Sequence, residues 1–135
     1  MTLATEQSSG MTLERLTDFF AAWEAHDVDA VVSFFAPDGA YYASVGPDDE
    51  GTSFRGIDEV RRGVAAFLAT YPDAHYTDTS VTLMGDKALA QWTFQGTTTD
   101  GRKVKYRGVD VLEFSGDRIR VKDAYRKERS APIGG

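Results

Sequence analysis

Three segments in the first half of the chain place apolar side chains three or four positions apart, which is the spacing of an amphipathic helix. The first spans residues 12–26. The second is short and begins after Asp27, a residue type that caps helices, and we expect residues 37–39 (Pro-Asp-Gly) to end it. The third spans residues 57–71 and is stopped by Pro72. Their apolar faces are formed by Leu13, Leu16, Phe20 and Trp23, by Val28, Val31, Val32 and Phe35, and by Ile57, Val60, Val64, Phe67 and Leu68.

After Pro72 the apolar residues alternate with polar ones, which indicates strands. Four strands are predicted over residues 75–84, 87–97, 102–114 and 118–126. A shorter one is predicted over 40–45, followed by an acidic loop. Tight turns join the four strands, so they are antiparallel, because parallel neighbours need a long crossover. The sequence therefore predicts an α+β protein with three N-terminal helices packed on a strongly curved, mainly antiparallel sheet, which forms a cone with an internal cavity.

Length and composition narrow the possible functions. The 135 residues fit one domain, which we place at 12–128 between flexible ends at 1–11 and 129–135. Asp and Glu outnumber Lys and Arg by 21 to 15, which argues against a nucleic-acid partner or an anionic membrane. Without cysteine, and with only two histidines, the sequence predicts neither a metal site nor another cofactor. We see no signal peptide or spanning segment and expect a cytoplasmic protein.

Asp110 is the first candidate catalytic residue. Alternation along the third long strand places it on one face with Tyr106, Leu112 and Phe114. A carboxyl group among apolar neighbours either takes a cationic partner or stays protonated. Protonated, it would donate a hydrogen bond to a substrate oxygen; ionised, it could act as a general base. The competing interpretation is a structural salt bridge.

Lys122 in the last strand is the predicted partner of Asp110. Strict alternation turns Ile119, Val121 and Asp123 inward and leaves Lys122 outside, whereas a one-residue bulge reverses this. With Lys122 inside, the two side chains form a Lys–carboxylate pair across neighbouring strands. The residues leave both registers open.

Large aromatic side chains are candidates for the wall of the predicted cavity. They would contact a flat hydrophobic ligand, and tyrosine adds a hydroxyl donor. We predict substrate binding by Tyr42, Tyr106, Trp23, Trp92, Phe94 and Phe19.

The order of three helices and four antiparallel strands resembles the nuclear transport factor 2-like superfamily. Three stretches carry the resemblance: FFAAWEAHDVDAVVSFFAPDGAYY, FRGIDEVRRGVAAFL, and DGRKVKYRGVDVLEF followed by GDRIRVKDAYRK. The superfamily includes ketosteroid isomerases, SnoaL-like polyketide cyclases, limonene epoxide hydrolase, scytalone dehydratase and non-catalytic binding proteins. The resemblance covers about residues 13–127 and implies the cone fold, but one fold hosts many activities.

Carried over by position, the resemblance places Asp110 on the protonated aspartate of the isomerase oxyanion hole. The isomerase base falls on Ala43, and the oxyanion-hole tyrosine falls on Phe19. The essential aspartate of the cyclases falls on Ala124, next to Asp123, and this alignment turns Lys122 inward. The two histidines of the dehydratase have no counterpart. The resemblance therefore implies a family pocket with one familiar acid and different partners.

These observations predict a small, cofactor-independent enzyme of the SnoaL-like kind. It would isomerise, cyclise or dehydrate a hydrophobic carbonyl-bearing molecule by proton transfer through Asp110 and Lys122, with Arg107 supporting the strand from its other face. The alternative is a non-catalytic ligand-binding or dimerisation module of the same fold. The resemblance also implies a homodimer through the sheet, where Val109 and Val111 occupy the face opposite Asp110.

Overall fold

The computed structural model describes residues 10–130. The predicted flexible ends, 1–11 and 129–135, lie mostly outside this range. Three helices and six strands follow one another along the chain: α1 (Leu13–Glu24), α2 (Val28–Ser33), β1 (Phe35–Tyr42), β2 (Ser53–Arg55), α3 (Ile57–Thr70), β3 (His75–Met84), β4 (Lys87–Thr97), β5 (Lys103–Ser115) and β6 (Arg118–Arg126).

The two N-terminal helices begin at polar caps. The Thr12 hydroxyl accepts a hydrogen bond from the Arg15 amide at 3.0 Å, and the Asp27 carboxylate accepts one from the Ala30 amide at 3.1 Å. Such caps satisfy amides that have no partner in the first turn of a helix. The predicted helices α1 and α3 are confirmed to within two residues of their ends.

The predicted end of α2 and start of β1 are wrong. α2 already ends at Ser33, and Phe35 begins β1 instead of closing the helix. Pro37 lies inside β1, where the pairing with β6 shifts register between Phe35 and Ala40. An irregular strand segment tolerates proline because the missing amide is not needed in the ladder there. The three-residue strand β2 was not predicted at all.

The six strands form one sheet in the order β2-β1-β6-β5-β4-β3. The four long strands, β3 to β6, are antiparallel to one another, as predicted, whereas β1 pairs with β6 in parallel. Between β5 and β6 the register shifts after Glu113, because Phe114 pairs with Ile119 and Glu113 with Val121. Arg120 is therefore the extra residue of a bulge.

The helices cover the inner face of the sheet and enclose the core. The inner face of β4 and β5 is lined by alternate buried residues, Ala88, Ala90, Trp92 and Phe94 on β4 and Val104, Tyr106, Asp110, Leu112 and Phe114 on β5. Leu16, Phe19 and Trp23 face them from α1. None of the helices within residues 10–130 has the length and apolar character needed to cross a bilayer.

Candidate active site

The candidate site is built around a buried ion pair. Nζ of Lys122 lies 3.3 Å from Oδ2 of Asp110, and the two side chains are 5% and 2% exposed. They are the only buried charged residues in the part of the chain that the structure describes. Both therefore left water at a considerable cost, which their mutual attraction only partly offsets.

The bulge at Arg120 is what brings Lys122 inside. Without the extra residue, alternation from Ile119 would point Lys122 to the outer face. With it, Ile119 and Lys122 are both buried, while Val121 and Asp123 are half-buried on the other side. Lys122 pairs with Leu112 across the strands and reaches Asp110 diagonally, which is a normal distance for cross-strand neighbours.

Two aromatic rings enclose the lysine ammonium group. Nζ of Lys122 lies 4.5 Å from the ring centre of Trp23 and 5.0 Å from that of Tyr41. These rings meet edge to face at 6.0 Å. An ammonium group over an aromatic face is attracted by the ring electrons, and the attraction strengthens where water is excluded. The rings therefore help to hold the ammonium group of Lys122 beside Asp110.

Three buried polar atoms in this region form no hydrogen bond with the described residues: Oδ1 of Asp110 and Nε1 of Trp23 and Trp92. Leaving buried donors and acceptors unpaired is costly, and such atoms are rare in folded proteins. Only one carboxylate oxygen of Asp110 is engaged by Lys122. The site thus holds one acceptor and two donors that form no hydrogen bond of normal geometry, although the Trp92 indole lies close enough to Asp110 to lower the pKa of its carboxyl group.

The electrostatic environment works against ionisation of Asp110. Burial raises the pKa of its carboxyl group, and the opposing effects of Lys122 and of the Trp92 indole are smaller, so the net shift is upward. Burial, followed by the charge of Asp110, also raises the pKa of the Tyr41 and Tyr76 hydroxyls. These two hydroxyls therefore remain protonated donors at neutral pH.

The structure brings several of the predicted binding residues to the pair, but not all. Trp23 covers Lys122, Trp92 lies beside Asp110, and Phe94 and Tyr106 stack in parallel farther along the inner face. Phe19 is fully buried among Phe20, Phe34 and Phe35 in the core. The Tyr42 hydroxyl accepts a hydrogen bond from Arg55 at 2.8 Å, away from the pair.

Sequence reasoning missed Tyr41, Tyr76 and Arg126 as residues of the inner face. Tyr42 was predicted to bind the ligand, whereas its neighbour Tyr41 lies against Lys122. Tyr76 packs edge to face on Trp92 at 5.4 Å. Tyr76 follows the exposed His75 in β3, so the alternation along the strand could have identified Tyr76 as an inward residue. Arg126 could be assigned to the inner face only with knowledge of the bulge at Arg120.

Two concavities flank the sheet near the site. One of about 140 Å³, between α1 and β3–β4, has Tyr76 and Trp92 in its wall and so adjoins the aromatic surroundings of Asp110. The other, about 400 Å³, is lined by outer-face residues that include Gln91, Arg107 and Tyr125, and also by Arg126. Within residues 10–130, no three acidic or histidine side chains converge as metal ligands.

The fold and the site define the class of protein. A family model for the SnoaL-like domain matches residues 16–121, and the chain belongs to this family. The predicted relationship to the nuclear transport factor 2-like superfamily is thereby confirmed. No curated relative matches the chain.

Solved structures of similar proteins agree with the family. An uncharacterised cystatin-fold protein from Novosphingobium aromaticivorans is 28% identical, with a TM-score of 0.73 over 86% of this chain and 98% of its own. A protein with a ketosteroid isomerase-like fold from Catenulispora acidiphila, in complex with trimethylamine, is 22% identical (TM-score 0.74; coverage 85% and 86%). A candidate polyketide cyclase from Xanthomonas campestris is 16% identical (TM-score 0.75; coverage 91% and 93%). The latter two likenesses show the fold alone.

Proposed function

We propose that this protein is an enzyme that catalyses proton transfer on a small hydrophobic molecule bearing a carbonyl group. Asp110 carries the proton, Lys122 sets the protonation state of Asp110 and donates to the developing oxyanion, and no organic cofactor takes part. The supporting observation is the buried carboxyl group of Asp110: one oxygen contacts Lys122, and the other forms no hydrogen bond of normal geometry with the described residues.

The surroundings of Asp110 suit this chemistry. A general acid or base works best when its pKa lies near the working pH, and burial moves the pKa of Asp110 in that direction. The indole and phenol donors of Trp23, Trp92, Tyr41 and Tyr76 can bind an oxygen that gains negative charge. Aromatic walls exclude water and favour a flat apolar substrate.

The reaction class can be tested by deuterium exchange at carbon. We expect the protein in D₂O to accelerate exchange of the protons next to the carbonyl group of 2-tetralone or acetophenone, followed by proton NMR. Asp110→Asn removes the proton carrier and should slow exchange by about 10²-fold or more. The matched control is Asp123→Asn, on the outer face of the adjacent strand, which should exchange at the wild-type rate.

A non-catalytic binding protein is the second candidate, and one observation favours it. Ala124 lies opposite Asp110 and contributes only a methyl group, so the described interior holds a single carboxyl group. A binding protein would take up these ketones without accelerating exchange. Ligand-induced shifts in the NMR spectrum with equal exchange in wild type and Asp110→Asn would contradict catalysis and support binding.

We also propose a homodimer that forms through the outer face of the sheet. Leu89 and Tyr125 are exposed there at 37% and 55%, beside half-buried Val109 and Val111. Exposed apolar groups on one sheet face favour association. Sedimentation equilibrium should give twice the chain mass, and Val109→Glu should give the monomer. A monomeric wild-type protein at micromolar concentration would contradict the proposal.

A further inference from the structure

The inner face of β6 presents two cations to a single acid. Lys122, Ala124 and Arg126 follow one another on this face, and Ala124 pairs directly with Asp110. Lys122 and Arg126 are thus the two diagonal neighbours of Asp110, each at a Cα separation of about 7–8 Å. Asp110 is engaged by Lys122. The described interior offers no second buried carboxylate for Arg126.

Arg126 is held on the inner side by an aromatic ring. Its guanidinium carbon lies 4.0 Å from the ring centre of Tyr106, and its side chain is only 14% exposed. Its charge also lowers the pKa of the Tyr41 hydroxyl, in opposition to burial and to Asp110. The guanidinium group is therefore partly buried and oriented, which is how arginine binds planar anions.

The anion that Arg126 binds in this structure comes from the chain itself. Glu128, two residues beyond the end of β6, accepts one hydrogen bond from Nε of Arg126 at 2.8 Å and lies 2.6 Å from Nη2 of the same side chain. Both contacts use the same oxygen, Oε1, and the Glu128 side chain is 62% exposed. Arginine prefers a carboxylate that engages both of its N–H groups with two oxygens. Glu128 thus makes a replaceable contact at an oriented guanidinium group.

We propose that Arg126 binds the carboxylate of a keto-acid ligand, and that Glu128 occupies this subsite when no ligand is bound. The ligand's carbonyl group would lie at Asp110 and Lys122, so this end rests on the proposed function. Phe94 stacks in parallel on the Tyr106 ring that holds the guanidinium group, with ring centres 6.4 Å apart, so the surroundings of Arg126 are aromatic. An aromatic ring with carbonyl and carboxylate groups at opposite ends matches this arrangement.

The subsite is tested with 4-acetylbenzoate and its uncharged analogue 4-acetylbenzamide, using isothermal titration calorimetry. We expect wild type to bind the carboxylate more tightly than the amide. Arg126→Met should weaken binding of 4-acetylbenzoate about tenfold and leave the amide unchanged, which is the size of a charge-assisted hydrogen bond. Glu128→Gln should strengthen carboxylate binding several-fold because it removes the internal competitor. Arg102→Met, exposed just before the start of β5, is the matched control.

Several outcomes would overturn the subsite. Equal losses of affinity for both probes in Arg126→Met would mean that Arg126 only supports the fold. If the Met variant unfolds, Arg126→Lys, which keeps the charge without the planar guanidinium group, provides the same check. The subsite would also be contradicted if Glu128→Gln bound neither probe, or if it bound 4-acetylbenzoate no more tightly than 4-acetylbenzamide. Carboxylate binding that depends on Arg126, without exchange of the acetyl protons, would support the subsite and contradict catalysis. Exchange of the acetyl protons of 4-acetylbenzamide, with no tighter binding of 4-acetylbenzoate, would support catalysis and contradict the subsite.

Discussion

Strands β5 and β6 carry two ion pairs on opposite faces, and they differ in almost every physical respect. On the outer face Arg120 contacts Glu113, with side chains 49% and 30% exposed. On the inner face Lys122 contacts Asp110, with both side chains buried. The outer pair remains largely solvated and costs the fold little. The inner pair gave up its hydration at a cost to stability, and the proposed catalytic role rests on this difference.

Removal of the inner cation should give the largest effect. Lys122→Met leaves Asp110 buried without its partner, and we expect the free energy of unfolding at pH 7 to fall by about 3–5 kcal/mol. Urea denaturation followed by circular dichroism measures this loss. The double variant Asp110→Leu/Lys122→Met should recover most of the stability, because the uncompensated charge is gone. A smaller loss of stability in Lys122→Met than in Arg120→Met would contradict the proposed difference between the inner and outer ion pairs.

A glycine on the inner face should be nearly as sensitive. A methyl group at Gly108 would collide with the Trp92 ring and with the Tyr125 carbonyl oxygen. We expect Gly108→Ala to destabilise the protein by about 1–3 kcal/mol and to displace Trp92, since overpacking forces neighbours from their positions. Thermal unfolding and the fluorescence of Trp92 report the two effects. Arg107→Ala, the exposed neighbour, is the control; equal melting temperatures for the two variants would contradict tight inner packing.

The pH dependence of stability should have opposite signs for a buried and an exposed carboxyl group. The pKa of Asp110 is raised, chiefly by burial, so between the unfolded and folded pKa the native state binds more protons than the unfolded chain. Its contribution to stability therefore decreases as pH rises through this window, by up to about 1.4 kcal/mol per pH unit. Hydrogen bonds from Thr97 lower the pKa of exposed Asp73, so its contribution is lost as pH falls.

Unfolding free energies between pH 3 and 8 for wild type, Asp110→Asn and Asp73→Asn measure these two slopes. The difference between wild type and Asp110→Asn should become less favourable to wild type as pH increases. The difference between wild type and Asp73→Asn should change in the other direction. Parallel curves for the two variants would show that burial does not control the ionisation of Asp110.

The outer ion pair should give the smallest effect. Arg120→Met removes an exposed contact to Glu113 and should change the free energy of unfolding by less than about 1 kcal/mol. The same urea experiment as for Lys122→Met provides the measurement. Because Arg120 is also the extra residue of the bulge, its backbone position should survive the substitution. A large loss would indicate that the Arg120 side chain itself holds the register of β6.

Most helices and strands could be predicted from the spacing of apolar residues along the chain. The site depends on a bulge and on long-range strand pairing, which that spacing does not reveal. The alternation of apolar residues predicted four strands because each buries one face. Asp110 was identified as an acid among apolar neighbours for the same reason. The bulge at Arg120 adds one residue without any proline or glycine to mark it. Strict alternation therefore favoured Asp123 as the inward residue, and the residues alone did not settle whether Asp123 or Lys122 faces inward.

The residues around Tyr41 show how a small error in one element changes a site. Pro37 and Gly39 are typical of a turn, yet here they lie in an irregular part of β1 stabilised by pairing with β6. Long-range pairing overrode the local signal. A strand thought to begin at residue 40 gave no reason to prefer Tyr41 over Tyr42 as the inward ring. The ring that lies over Lys122 was therefore missed.

The ionisation of Asp110 is the central claim, and carbon-13 NMR of the Asp110 side-chain carboxyl group tests it most directly. Titration of wild type between pH 3 and 9, with Asp110→Asn used to assign the resonance, should give a pKa above the ordinary value of about 3.9 for aspartate. An upward shift moves this carboxyl group toward the pH range in which it can take up and release protons. If the Asp110 carboxyl group is fully ionised at pH 4, the charge of Lys122 affects its pKa more than burial does. The pair would then be a structural salt bridge, and the proposed role of Asp110 would be contradicted.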